Sequence, residues 1–217
     1  MSHKETINNS IRELVNRYPV LKECRTEIEE AALILLETIK AGGKILICGN
    51  GGSSADADHI VGELMKGFVH SRPLPEGLKT NLEKYGGDEG VRMGELLQMG
   101  IPAVSLSSHP ALMTAFINDV APSLMFAQQV IGLGQEKDLL WVLSTSGNSP
   151  NIASAVIAAK AKKMRTLGMT GERESRLSEL CDTCIRVKGS ETYKIQELHL
   201  PVYHSLCLIL EQEWVRR

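Results

Sequence analysis

The amino-acid sequence predicts an α/β fold: a three-layer αβα sandwich around a roughly five-stranded parallel sheet, preceded by an N-terminal helical appendage. Three observations predict it. Short apolar runs at 44–48, 102–106, 139–143, 166–169 and 184–187 alternate with helix-like segments. The runs are continuous rather than alternating, as strands buried on both faces of a parallel sheet are. Two of them lead into turns rich in glycine and hydroxyl side chains, at the strand ends where open α/β sheets bind ligands.

The elements follow in chain order. Residues 7–15 read as a short helix ending before Pro19. Residues 21–41 carry Ile28, Ala31, Leu35 and Ile39 at three- and four-residue spacing, the stripe of a longer helix, and Gly42-Gly43 stop it. Residues 1–43 are therefore expected to form a helical appendage whose stripe packs at an oligomer interface, and 44–217 the main domain. Helical patterns lie near 54–69, 120–132 and 150–163, with a last helix near 194–215. Residues 70–100 break the rhythm: Arg72-Pro73-Leu74-Pro75-Glu76-Gly77 and Gly86-Gly87-Asp88 are loop signals, with room for a short helix at 89–99. An excursion of this length is a functional lid, an oligomer contact or a solvated insertion.

Composition narrows the function. The 217 residues suffice for one domain with an appendage and a core that needs no staples. The 24 Lys and Arg against 26 Asp and Glu give a net charge of −2, without the basic excess that nucleic acid or an anionic membrane surface attracts. Aromatic residues are only 4%, too few for a base-stacking platform, and a hydrophobic content of 43% excludes disorder. The longest apolar run, 31–36, falls far short of the ~20 residues that span a bilayer. Five cysteines, an odd number, with no export signal at the N-terminus predict a reduced, cytoplasmic protein. Cys181 and Cys184 form a CxxC at the start of a strand, where a separation of three directs two side chains to opposite faces.

The chemistry concentrates at two strand-to-helix turns. The first is Cys48-Gly49-Asn50-Gly51-Gly52-Ser53-Ser54. The second is Ser144-Thr145-Ser146-Gly147-Asn148-Ser149, with Pro150 at the first helical position. A helix N-terminus presents free N–H groups and a positive dipole end to an anion. Neither turn is a Walker A motif, and Ser54 stands where the dinucleotide fingerprint needs its third glycine. The alternative is a pair of capped glycine turns; two such turns in one sheet favour a phosphate ester. His59 and Glu63, four apart, share a helix face just after the first turn. On the last helix lie Gln196, His199 and His204. His199 and His204 are separated by ~140° and cannot face one site, while Gln196 and His204 are ~80° and ~12 Å apart. Each of these histidines alone is more often a satisfied structural residue than a ligand.

With these motifs in place, the sequence resembles the sugar isomerase (SIS) domains, and within them the phosphoheptose isomerases. The residues that carry the likeness are Cys-Gly-Asn-Gly-Gly-Ser-Ser-Ala-Asp-Ala-Asp-His, Ser-Thr-Ser-Gly-Asn-Ser-Pro-Asn and Ile-Gln-Glu-Leu-His with His204-Ser-Leu-Cys. The resemblance implies an aldose–ketose isomerase that interconverts sedoheptulose 7-phosphate and D-glycero-D-manno-heptose 7-phosphate through an enediol. It implies substrate contacts from Asn50, Gly51, Gly52, Ser53, Asn118, Asp119, Ser144, Thr145, Ser146 and Ser149, and from Glu63 and Gln196. It implies zinc on His59, Glu63, Gln196 and His204, with Glu63 and His204 as acid/base groups, and a homotetramer with sites built between subunits. The chain departs from the family at 79–100, which are longer than usual, at Lys194, where arginine is common, and at Asp58, where glutamine is usual. The alternatives are an isomerase of another sugar phosphate, or a non-catalytic SIS regulator or replication-initiation partner.

Overall fold

The computed structural model describes residues 3–215. Its five strands are β1 (Ile45–Gly49), β2 (Ala103–Ser105), β3 (Leu139–Leu143), β4 (Arg165–Gly171) and β5 (Thr183–Val187), all parallel, in the order β2-β1-β3-β4-β5. In register, Ile47 stands beside Trp141, Trp141 beside Leu167 and Leu167 beside Thr183. The buried Asp138 carboxylate pins the start of the central pair. It accepts from the Lys44 N–H at 2.9 Å and the Gln135 N–H at 2.8 Å, and it pairs with Lys44 Nζ.

Strand alternation divides the core in two. Ile45, Ile47, Leu139, Trp141 and Leu143 face one side, beneath α1 (His3–Arg17), α2 (Arg25–Lys40), α3 (Gly52–Met65) and α10 (Thr192–Val215). Leu46, Cys48, Leu140 and Val142 face the other, beneath α7 (Met125–Leu133), α8 (Pro150–Ala161) and α9 (Arg176–Leu180). All five predicted strands are present to within two residues at each end; the central β1 and β3 are buried along their whole length, while the edge strand β5 exposes Arg186.

Four expectations need correction. The helix expected over 21–41 begins as a 3-10 turn, Pro19–Cys24, and becomes α2 only at Arg25. Its stripe of Ile28, Ala31, Leu35 and Ile39 is fully used in the chain's own core, so those four side chains are not free to meet another copy. Three helices escaped the sequence pattern, α4 (Glu76–Gly86), α6 (Pro110–Asp119) and the five-residue α9, and neither α4 nor α6 has a buried residue to create a stripe. Instead α4 packs chiefly on α5 (Asp88–Leu96) through glycine: a Cβ on Gly90 would stand 1.9 Å from the Leu82 carbonyl oxygen. Finally, the two CxxC sulfurs do not face apart. Strand β5 begins only at Thr183, and the Cys181 and Cys184 sulfurs lie 3.1 and 3.0 Å from where Gly168 would carry a Cβ.

His199 is fully buried, with Nε2 donating to the Thr170 carbonyl at 3.3 Å and Nδ1 left without a partner among the described residues. Burial pushes its pKa down to about 4. The folded chain therefore holds His199 neutral, while the unfolded chain takes up a proton below its ordinary value of ~6.5. The stabilisation is complete above pH 6.5 and is lost as pH falls toward 4, a total of ~3 kcal/mol. Denaturant unfolding between pH 7 and pH 4 is expected to show a steeper loss for the parent than for His199→Gln; coincident slopes would remove the assignment.

Candidate functional site

The order β2-β1-β3-β4-β5 makes the carboxyl ends of β1 and β3 a switch point. The helix after β1 covers one face and the helix after β3 the other, leaving a crevice between them. Both predicted turns open into it. Asn50, at the end of β1, and Asn151, in the first turn of α8, join them by reciprocal amide bonds of 3.0 and 2.9 Å.

The second turn is organised around hydroxyls. Ser144 Oγ and Ser149 Oγ are 3.2 Å apart, and Ser146 Oγ accepts from the Asn148 N–H at 3.2 Å. Gly147 holds φ at 65°, and a Cβ there would strike Ser175 Oγ at 2.1 Å, so the turn admits only glycine. Beside it lies a cavity of about 220 Å³ lined by Thr145, Ser146, Asn148, Arg173, Ser190 and Thr192 among others. In the first turn, Ser53 is buried and Gly51 has φ 56°. Gly52 opens α3 directly against Gln196, whose Nε2 is 2.6 Å from where a Cβ would stand.

Helix α3 then meets α10. His59 Nε2 is 3.3 Å from Glu63 Oε1 and 3.4 Å from His204 Nε2. Of the residues implied as metal ligands, these three converge, and Gln196 lies instead at Gly52, two turns back along α3. Among the described residues, no group of three or more His, Cys, Asp or Glu side chains is placed as a ready metal site. Asn118 and Asp119 are exposed at the end of α6, and they bond each other at 2.8 Å rather than either turn. Asp58, the departure noted in the sequence, accepts from Ser108 Oγ at 2.9 Å and stays outside the cluster. His199 faces the sheet and His204 faces α3, as their separation on the helix requires.

Two side chains that sequence reasoning missed set the state of His59. Tyr203 Oη lies 3.1 Å from Asp56 Oδ1 and 3.0 Å from His59 Nδ1. An ionised carboxylate only accepts, so the phenol proton goes to Asp56 and His59 donates from Nδ1. The Nε2 lone pair of His59 is then the one facing Glu63 and His204. Burial raises the Asp56 carboxyl, opposed by Tyr203 and His59, and burial together with the Asp56 charge raises the Tyr203 phenol. Burial lowers His204, reinforced by His59. Asp56 stands one turn before His59, the only signal of this support in the sequence; Tyr203 had none.

The donor set suits zinc in kind, two imidazoles and a carboxylate, with a tautomer fixed as metal-ligating histidines require.

SIS-domain family models match residues 8–84 and 102–209, and the gap between them covers α5 and only the last two residues of α4. Phosphoheptose isomerase from Rhodospirillum rubrum is 35% identical over 192 residues, 88% of each chain. That of Burkholderia pseudomallei is 39% identical over 184 residues, 85% of this chain and 80% of the relative. The solved structure of a phosphoheptose isomerase from Francisella tularensis superposes with a TM-score of 0.74 at 30% identity, covering 98% of this chain and all of that one. Identity of this extent, over nearly the whole chain and on the same fold, settles the affiliation: the chain belongs to the SIS-domain family, in its phosphoheptose isomerase branch.

Proposed function

We propose that this enzyme isomerises sedoheptulose 7-phosphate to D-glycero-D-manno-heptose 7-phosphate in heptose biosynthesis. The observation that carries the reading is the convergence of His59, Glu63 and His204, two of them on α3, the helix that the first glycine turn opens. The phosphate sits on that turn, where the N-terminus of α8 and the hydroxyls of Ser144, Thr145, Ser146 and Ser149 receive it. This grip positions the sugar and supplies binding energy remote from the reacting carbons. Asn50, Gly51, Gly52, Ser53 and Gln196 line the path between phosphate and reacting end.

In the ketose-to-aldose direction a proton leaves C1 and returns at C2, while a second proton moves between the two oxygens. Glu63, a carboxylate on the inner face of α3, takes the carbon-bound proton. His204 exchanges the oxygen-bound one. His59, with Nδ1 committed to Tyr203, offers only Nε2 to the substrate side. His59, Glu63 and His204 would hold zinc, and Gln196, beside Gly52, is left to the substrate. Bound there, zinc would stabilise the negative charge of the enediolate. Asn118 and Asp119, exposed and unconnected to either turn in one chain, fit a site completed between subunits of a cytoplasmic homotetramer. Light scattering that finds a monomer would sink that part of the reading.

Changing Ser146 and Ser149 together to alanine is expected to weaken substrate binding, since each hydrogen bond to a charged group contributes ~1.5–3 kcal/mol. Titration of the double variant with sedoheptulose 7-phosphate checks it, and parental affinity would move the phosphate elsewhere. Glu63→Gln is expected to bind substrate and remain folded while turnover falls ~10²–10⁴-fold. Metal content is measured alongside. A variant with parental metal content that still exchanges the C1 proton of sedoheptulose 7-phosphate with solvent at the parental rate would show that Glu63 is not the base. Gly52→Ala, which pushes only the flexible end of Gln196, is expected to leave the melting temperature nearly unchanged and to lower kcat by about tenfold or more through the displaced amide. Unchanged kcat would remove Gln196 from the site.

A further inference from the structure

A buried clamp from α10 holds the far end of α3. Glu211 is 1% exposed, and its carboxylate accepts three consecutive backbone N–H groups, from Phe68 at 2.7 Å, Val69 at 2.9 Å and His70 at 3.0 Å. Arg72 lies beside it, with Nε 3.5 Å from Glu211 Oε1. The Arg72 guanidinium donates to the carbonyls of Leu64 at 2.8 Å and Glu63 at 3.0 Å, which end α3. An ion pair this deep gains little net stability over apolar residues of equal volume. What the five backbone bonds add is geometry.

Two routes lead from the clamp into the site. Arg72 grips the backbone carbonyl of Glu63 itself, one residue whose carboxylate faces His59. Glu211 grips the backbone of Phe68, whose ring packs 5.4 Å from the ring of His204. Glu211 and His204, seven apart on α10, lie on nearly one face of that helix, ~10.5 Å apart along its axis. We propose that Glu211, acting with Arg72, is a positioning residue that holds Glu63 on α3 and His204 on α10 in the relative placement proton transfer needs. The proposal rests on the reading of Glu63 and His204 as the acid/base pair.

The test is Glu211→Gln in the full-length protein, read in three ways. Steady-state kinetics with sedoheptulose 7-phosphate should show kcat reduced ~10–100-fold, the usual cost of losing an outer support of a site. KM should stay within about twofold, because the phosphate turn is untouched. Ring ¹⁵N resonances of His59 and His204 should shift from their parental positions. Val130→Ala, in the core on the opposite face of the sheet, serves as the control for general destabilisation and should keep the parental kcat. Parental kcat in Glu211→Gln, or an equal loss in Val130→Ala, would overturn the proposal. If Glu211→Gln fails to fold, Arg72→Lys keeps the charge but loses the fork on the two carbonyls, and the same kcat loss is expected. A parent with no turnover of the heptose phosphate would defeat the functional reading alone. The ring resonances would still decide the clamp, since unchanged His59 and His204 signals in the variant would overturn it.

Discussion

The carboxyl edge of β1 is the constraint on which the rest depends. Because β2 pairs on one side of β1 and β3 on the other, the chain leaves the two central strands toward opposite faces. A crevice between α3 and α8 is then unavoidable, and its walls are two helix N-termini. The turns must be short and rich in glycine to let a ligand reach those N–H groups. The Asn50–Asn151 amide pair bridges the gap and keeps the walls at one separation. A sheet with its strands in sequential order would offer no such opening.

The second level of organisation is the side-by-side packing of α3 and α10. Gln196 meets Gly52, and eight residues later His204 meets His59, seven residues after Gly52. The two helices thus run in the same sense, with the glycine at one end allowing close approach. Along this seam polar groups form a relay that starts beside buried Tyr203: Asp56 orients Tyr203, Tyr203 orients His59, and His59 faces Glu63 and His204. The result is a cluster whose proton positions are fixed by neighbours that never touch the substrate.

Much of this was legible in the sequence. The central strands declared themselves because burial on both faces leaves a run of apolar residues, and the turns did so because their chemistry is local. The His59–Glu63 pair follows from helix periodicity alone. The residues that stayed hidden are those whose meaning arises only when distant segments meet: Tyr203 with Asp56, Glu211 with the backbone after α3, and Arg72 with the carbonyls of Glu63 and Leu64. Helices α4 and α6 stayed hidden for a different reason. A helix that rests on no core needs no apolar stripe, and the glycines that let α5 approach α4 read as breakers when seen one at a time.

The α4–α5 segment closes on itself where it leaves and rejoins the domain. The Gly67 N–H meets Gln98 Oε1 at 2.9 Å, the Met99 N–H meets the Arg72 carbonyl at 2.7 Å, and Pro73 and Gln98 form an antiparallel bridge. The two ends are therefore neighbours before any helix intervenes, and a few residues would join them. Such a segment can be gained or lost in evolution as a unit, because the chain entropy of closing the gap grows only slowly with the length enclosed. Removing it would call for no rearranged core, since neither α4 nor α5 places a side chain in either core cluster, and its sequence is free to diverge at its own pace.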